Sequence, residues 1–122
     1  MSHVVQIKTE IRDEIAVGAA CRRLGLTQPR REAVTLFQTE VAGLLVELPG
    51  WIYPVVVDLA SGAARYDNYE GRWGDPAQIG KFLQAYALEK ATIEARKRGH
   101  IVKEQPLADG SVKLVIGVGG AS

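Results

Sequence analysis

A chain of 122 residues is long enough for one hydrophobic core and too short for two domains of usual size, and 47% hydrophobic with 24% charged residues excludes a disordered or fibrous class. The 15 Lys and Arg against 14 Asp and Glu leave a net charge of +1, too little for a strong overall pull toward nucleic acid or an acidic membrane. Cys21 is the only cysteine, which excludes an internal disulfide and every multi-cysteine metal site, so a reducing compartment fits.

The first eight residues lack the charged and apolar regions of a signal peptide, and no run approaches the roughly 18 to 20 apolar residues of a membrane span. Residues 4 to 11 alternate, with Val5, Ile7, Thr9 and Ile11 against Gln6, Lys8 and Glu10, the period of a half-buried strand. Asp13 then caps a first helix whose apolar positions Val17, Ala20, Cys21 and Leu24 recur at helical spacing. Gly25 ends it in a left-handed residue, Leu26 packs back, and Gly18 inside it marks an expected close approach of helix to sheet. Thr27 to Arg31 is expected to be a loop, followed by strands around 32 to 37 and 40 to 48 that Pro49-Gly50 ends.

A fourth strand is expected from about Ile52 to Leu59, with Pro54 confining it to an edge, a bulge or a strand start. Ser61-Gly62 turns the chain into a short fifth strand ending near Tyr69. Asp75-Pro76 starts a long helix, to about Arg98, that Gly99 stops. Its buried stripe is Ile79, Phe82, Leu83, Tyr86 and Ala87, and its far end, from Lys90 to Arg98, is polar enough to project past the core. Asp109-Gly110 turns a last hairpin between 101–105 and 111–118. The order β-α-β-β-β-β-α-β-β leaves no room for alternating parallel crossovers, so the expected fold class is one α+β domain over 1–122, mainly an antiparallel sheet with both helices on one face. A flexible tail is expected from about 119.

Both tryptophans and three of the four tyrosines fall between Trp51 and Asp75. Within that span, Tyr66 to Asp75 crowds aromatic, acidic, amide, glycine and arginine side chains just before the long helix. Two readings are open. As a binding surface, Tyr69 and Arg72 with Asn68 and Glu70 supply rigid rings and a planar cationic fork, the residue types that dominate binding hot spots. As structure, Tyr66 and Trp73 fill the core, Asn68 and Gly71 shape a turn, Arg72 pairs with an acid and Asp75 caps the helix. Asp67 and Glu70 (with Asp75) could pair as acid and base in an enzyme, but solvated turn and cap roles account for them as well.

Other constellations are weaker. Met1-Ser2-His3 matches an amino-terminal copper or nickel chelate only if the methionine is retained, and two histidines, His3 and His100, exclude a three-histidine zinc site within one chain. No cofactor or metal is expected. Arg22, Arg23, Arg30 and Arg31 surround one helix C-terminus, and Arg96, Lys97, Arg98 and Lys103 the other, where cations meet the negative end of the helix dipole. Gathered into one patch they would suit RNA or another polyanion, yet strand one carries no aromatic and no strand reads like an RNA-recognition signature. Gly117 to Gly120 has no following helix to make a phosphate site. Cys21 lies on a buried helical face, as a packed thiol does.

The stretches Met1-Ser2-His3-Val4-Val5-Gln6-Ile7-Lys8-Thr9, Tyr66-Asp67-Asn68-Tyr69-Glu70-Gly71-Arg72-Trp73-Gly74-Asp75, Phe82-Leu83-Gln84-Ala85-Tyr86 and Asp109-Gly110-Ser111 together resemble a family of small ycf-type proteins, a domain of unknown function in cyanobacteria, algal plastid genomes and other bacteria. The likeness spans nearly the whole chain. It implies a cytoplasmic protein, or a stromal one in algal relatives, whose gene lies near those of AAA-type ATPases and a small companion protein. It therefore implies an accessory or adaptor role and identifies no catalytic residue.

Overall fold

The computed structural model describes residues 4–36 and 39–118 and has the expected α+β class. The elements are β1 (Val5–Ile7), α1 (Glu14–Arg23), β2 (Arg30–Leu36), β3 (Thr39–Val46), β4 (Val55–Asp58), β5 (Ala63–Tyr66), α2 (Pro76–Lys97), β6 (Ile101–Pro106) and β7 (Val112–Gly117). Five strands make an antiparallel sheet in the order β1-β5-β4-β3-β2, while β6 and β7 pair, among the described residues, with each other as a separate ribbon. The expected strand end at Phe37, the His3 chelate and the tail from about 119 lie outside the described residues.

Alternation decides what each sheet face buries. Leu44, Val57, Ala64 and Ile7 stand opposite one another across four strands, and together with Val46 and Val55 they meet both helices in the main core. The neighbouring row puts Leu45 against Val56 on the other face, where Leu36, Val41, Val34 and Tyr53 complete a second, smaller cluster. That second cluster is not apparent from one-sided helix packing.

Each helix follows its local signals. Asp13 Oδ1 accepts the Ala16 N–H at 3.1 Å, Leu26 N–H returns to Cys21 O at 2.8 Å, and Ala16, Val17, Ala20 and Cys21 are fully enclosed. Burial pushes the Cys21 thiol up, the behaviour of a packed, unreactive sulfur. Gly18 corrects the expectation of a helix–sheet approach, because a Cβ added there would meet the Gln28 side chain, at 3.3 Å, and Arg22, not the sheet. In α2, Asp75 Oδ1 accepts from Ala77 N–H at 3.0 Å with Pro76 in the first turn. The buried face is Ile79, Phe82, Ala85 and Tyr86. Ala87 is exposed, since one residue past Tyr86 it has turned roughly 100° away.

The far end of α2 does not project past the core. Thr92 and Ala95 are buried there because the ribbon returns against it, β6 packing on α2. Arg23 ties the three elements together, reaching Glu89 at 3.0 Å and forking onto Glu104.

Strand limits also differ from the periodic reading. Arg30 and Arg31 belong to β2, drawn in by pairing with Leu45 and Leu44. β1 ends at Ile7, opposite Ala64, although Ile11 is still buried and donates to Gly62 O at 3.1 Å. Ile52 to Pro54 precede β4, since the Ile52 N–H is used on Trp73 O at 2.9 Å.

The ion pairs make acid stability a clear prediction. Lys90 Nζ reaches Asp13 Oδ2 at 3.0 Å and Glu94 Oε1 at 2.8 Å. Burial raises the Asp13 carboxyl, but Lys90 and the Ala16 amide outweigh it and hold it below its ordinary 3.8. Lys90 lowers Glu94, and Arg23 lowers Glu104, from an ordinary 4.5. Groups whose folded values are depressed contribute stability above their unfolded values and lose it as pH falls through the folded ones. The urea midpoint should therefore hold steady from neutral pH to about 4.5 and drop below it; a midpoint that rises on acidification contradicts these pairings.

Candidate functional site

The segment from Tyr66 to Asp75 leaves the end of β5 and enters α2, and its first residues build a tight bend. The Asp67 carboxylate accepts the Tyr69 N–H at 3.1 Å, an arrangement that aspartate favours in turns. Gly71 and Trp73 N–H both donate to Asn68 O, at 3.0 and 2.8 Å, and Arg72 N–H donates to Tyr69 O at 3.0 Å. The result is a single 3-10 turn over Tyr69–Gly71. Tyr69 and Glu70 sit at φ of 46° and 54°, followed by Gly71 at 96°. Two successive side-chain-bearing residues in the left-handed region cost roughly 1–2 kcal/mol each, so surrounding contacts must hold them there.

Those contacts come from the other side of the turn. Asn68 Nδ2 donates to Gly74 O at 3.2 Å, Trp51 Nε1 to Asp75 O at 3.0 Å, and Ile52 N–H to Trp73 O at 2.9 Å. Gly74 lies so close under the Trp51 ring that a Cβ there would meet Cδ2 at 2.3 Å. The segment 51–54 thus forms a wall on which the bend is pinned.

Rings connect the bend to both cores. Trp51 meets Tyr66 edge-on at 5.5 Å, and both pack against the main cluster. On the other face, Tyr53, part of the second cluster, meets Trp73 edge-on at 5.7 Å, Tyr69 stacks on Trp73 at 4.6 Å, and the Arg72 guanidinium lies over Tyr69 at 5.1 Å. A ladder therefore runs from the interior out to an exposed cation. Stacked and cation–π contacts of this kind contribute about 0.5–1.5 kcal/mol each.

The sequence-predicted residues separate by exposure. Arg72 and Glu70 face solvent, Tyr69 is half-buried, and Asn68 is 6% exposed with its amide used on Gly74. Asn68 is thus a strut of the bend. Asp67 is fully enclosed while Glu70 stands in water, so the two do not share one solvent-filled cleft. Four surface hollows of about 180 to 490 Å³ are lined by residues outside 66–75. Tyr66 is half-buried against the main core, and Asp75 caps α2. Among the described residues no carboxylate pairs with the Arg72 guanidinium, nor with that of Arg22, Arg65 or Arg98, whereas Arg12 and Arg31 have one carboxylate each and Arg23 and Arg30 two.

The basic residues are interleaved with acids. Arg30 reaches Glu47 at 3.5 Å, Arg31 reaches Glu14, and Lys97 reaches Glu94 at 3.6 Å. Arg23 and Arg96 converge on Glu104, whose carboxyl both cations lower. Among the described residues no three His, Cys, Asp or Glu side chains gather as a metal site, and no helix is long and apolar enough to cross a membrane.

Sequence reasoning missed the left-handed pair at Tyr69 and Glu70 and the wall at Trp51. The only local sign was Gly74 before the capping Asp75, where a bulky neighbour excludes a side chain. The strain at Glu70 is testable: Glu70→Gly removes the left-handed penalty and returns part of it as unfolded-chain entropy, a net gain of about 0.5–1 kcal/mol. A thermal melt should move up by a few degrees; a lower melting temperature would show that no such penalty is stored. No protein-family model, curated protein or solved structure matches the chain.

Proposed function

We propose that this chain is a non-catalytic binding or adaptor domain that engages a protein partner through the 66–75 bend, with Tyr69, Arg72 and Glu70 as contacts and Asn68 holding them in place. The observation that supports it best is the ladder ending in Arg72, a guanidinium stacked on Tyr69 at 5.1 Å and left without a carboxylate among the described residues. Rings and cation are already ordered on a pinned backbone, so little side-chain freedom is lost on binding. The unmatched fork suits a carboxylate on the partner.

The likeness to ycf-type proteins favours a partner within an AAA-type ATPase system, in the cytoplasm or the plastid stroma. An RNA- or polyanion-binding module has less support, because Arg30 and Arg31 are engaged by Glu47 and Glu14. An enzyme using Asp67 and Glu70 has less still, because Asp67 is enclosed.

The test is the double substitution Tyr69→Ala with Arg72→Ala, read as affinity for a partner captured from the native host and as thermal stability. Binding is expected to weaken at least tenfold, about 1.4 kcal/mol, with the fold intact. Unchanged affinity in a folded variant removes this surface from the proposal.

A further inference from the structure

Five of the eight exposed large apolar side chains among the described residues, Ile101, Leu107, Val115, Ile116 and Val118, lie on the carboxyl-terminal ribbon and its ends. A lone two-stranded ribbon is marginal in water and needs further strands or a packed face. Here β6 is the strand of the ribbon that packs mainly on α2.

The two outer edges of the ribbon differ. Leu107 N–H donates to Ser111 O at 2.8 Å, and the register pairs Gln105 with Lys113, Lys103 with Val115 and Ile101 with Gly117. By antiparallel alternation those pairs carry the bonds within the ribbon, and Val112, Leu114 and Ile116 aim their N–H and C=O groups outward. On the β6 side the outward positions are Val102, Glu104 and Pro106, one charged and one without an N–H, the usual guards of an edge strand. β7 has one charge, Lys113, and no proline. Its edge is open.

We propose that β7 pairs antiparallel with β7 of a second copy of this chain, about a two-fold axis at Val115. The occupant follows from self-complementarity. In that register Leu114 faces Ile116 of the other copy, Val112 faces Val118, and Lys113 faces Gly117, so apolar side chains meet and the one cation has no like charge opposite. A register with Lys113 on the axis sets two ammonium groups against each other, which cross-strand pairing disfavours. Pairing converts two marginal ribbons into one four-stranded sheet and makes an isologous interface. This inference does not rest on the 66–75 bend.

The experiment is sedimentation of the full chain over a range of micromolar concentrations, with two variants. The native chain is expected to approach twice 13.2 kDa as concentration rises. Leu114→Pro takes no hydrogen bond from the ribbon, since its N–H points outward, and should give a monomer that keeps the folded circular dichroism spectrum. Val115 sits at a non-hydrogen-bonded pair on the axis, where Cα atoms about 4.5 Å apart admit a disulfide. V115C should therefore oxidise to a covalent dimer, whereas K113C, whose copies lie roughly 13 Å apart along the strands, should not. A native chain that stays monomeric and a V115C variant that does not cross-link overturn the proposal. A dimer that survives Leu114→Pro, or a ribbon edge that binds only an unrelated strand, overturns it equally.

Discussion

Phe82→Ala is expected to cost about 3–5 kcal/mol of unfolding free energy, a large share of the roughly 5–15 kcal/mol that holds an ordinary domain. Phe82 heads the largest fully buried side chains and is 1% exposed. It belongs to the cluster in which α1, α2 and the sheet meet, beside Val17, Cys21, Leu44 and Val57. Many of the other residues there are small, Ala16, Ala20, Ala64 and Ala85 among them. Side chains without reach cannot fold into the space a lost ring leaves, so the cavity persists and the upper part of the range applies. Urea unfolding should show a lower midpoint at an unchanged slope. A loss under about 1 kcal/mol would mean that the site collapses freely and that Phe82 is not central to the packing.

What was legible in the chain were features whose causes are local. Asp13, Gly25, Asp75-Pro76 and Asp109-Gly110 act on neighbours within a few residues, and each stands where its chemistry placed it. Features set by distant partners were not legible. Ile52 left its strand because Trp73, 21 positions on, accepts its N–H. The polar end of α2 is covered because Arg23 and β6 come back to it, a contact that no helical period contains. The same division runs through the bend. Its residue types marked it out as unusual, but which side chains turn outward depended on Trp51 and Tyr53, which occupy a different segment.

That dependence gives the second large effect, at a residue no partner can touch. Gly74 is buried, and a Cβ there would meet the Trp51 ring at 2.3 to 2.6 Å. The ring cannot retreat freely, because its Nε1 is bonded to Asp75 O at 3.0 Å and it meets Tyr66 edge-on at 5.5 Å. The chain cannot retreat either, because Gly74 O holds the Asn68 amide at 3.2 Å. Gly74→Ala should therefore cost about 2–3 kcal/mol, at the upper end for an overpacked site. It should also displace Trp73 and Tyr69 and weaken partner binding with both contact side chains still present. Trp51→Ala supplies the decisive background. If the indole is the wall, Gly74→Ala becomes nearly neutral once Trp51 is truncated, and the cycle shows a coupling of about 2 kcal/mol. Equal costs with and without the indole would place the constraint on Gly74 elsewhere and detach Trp51 from the geometry of the bend.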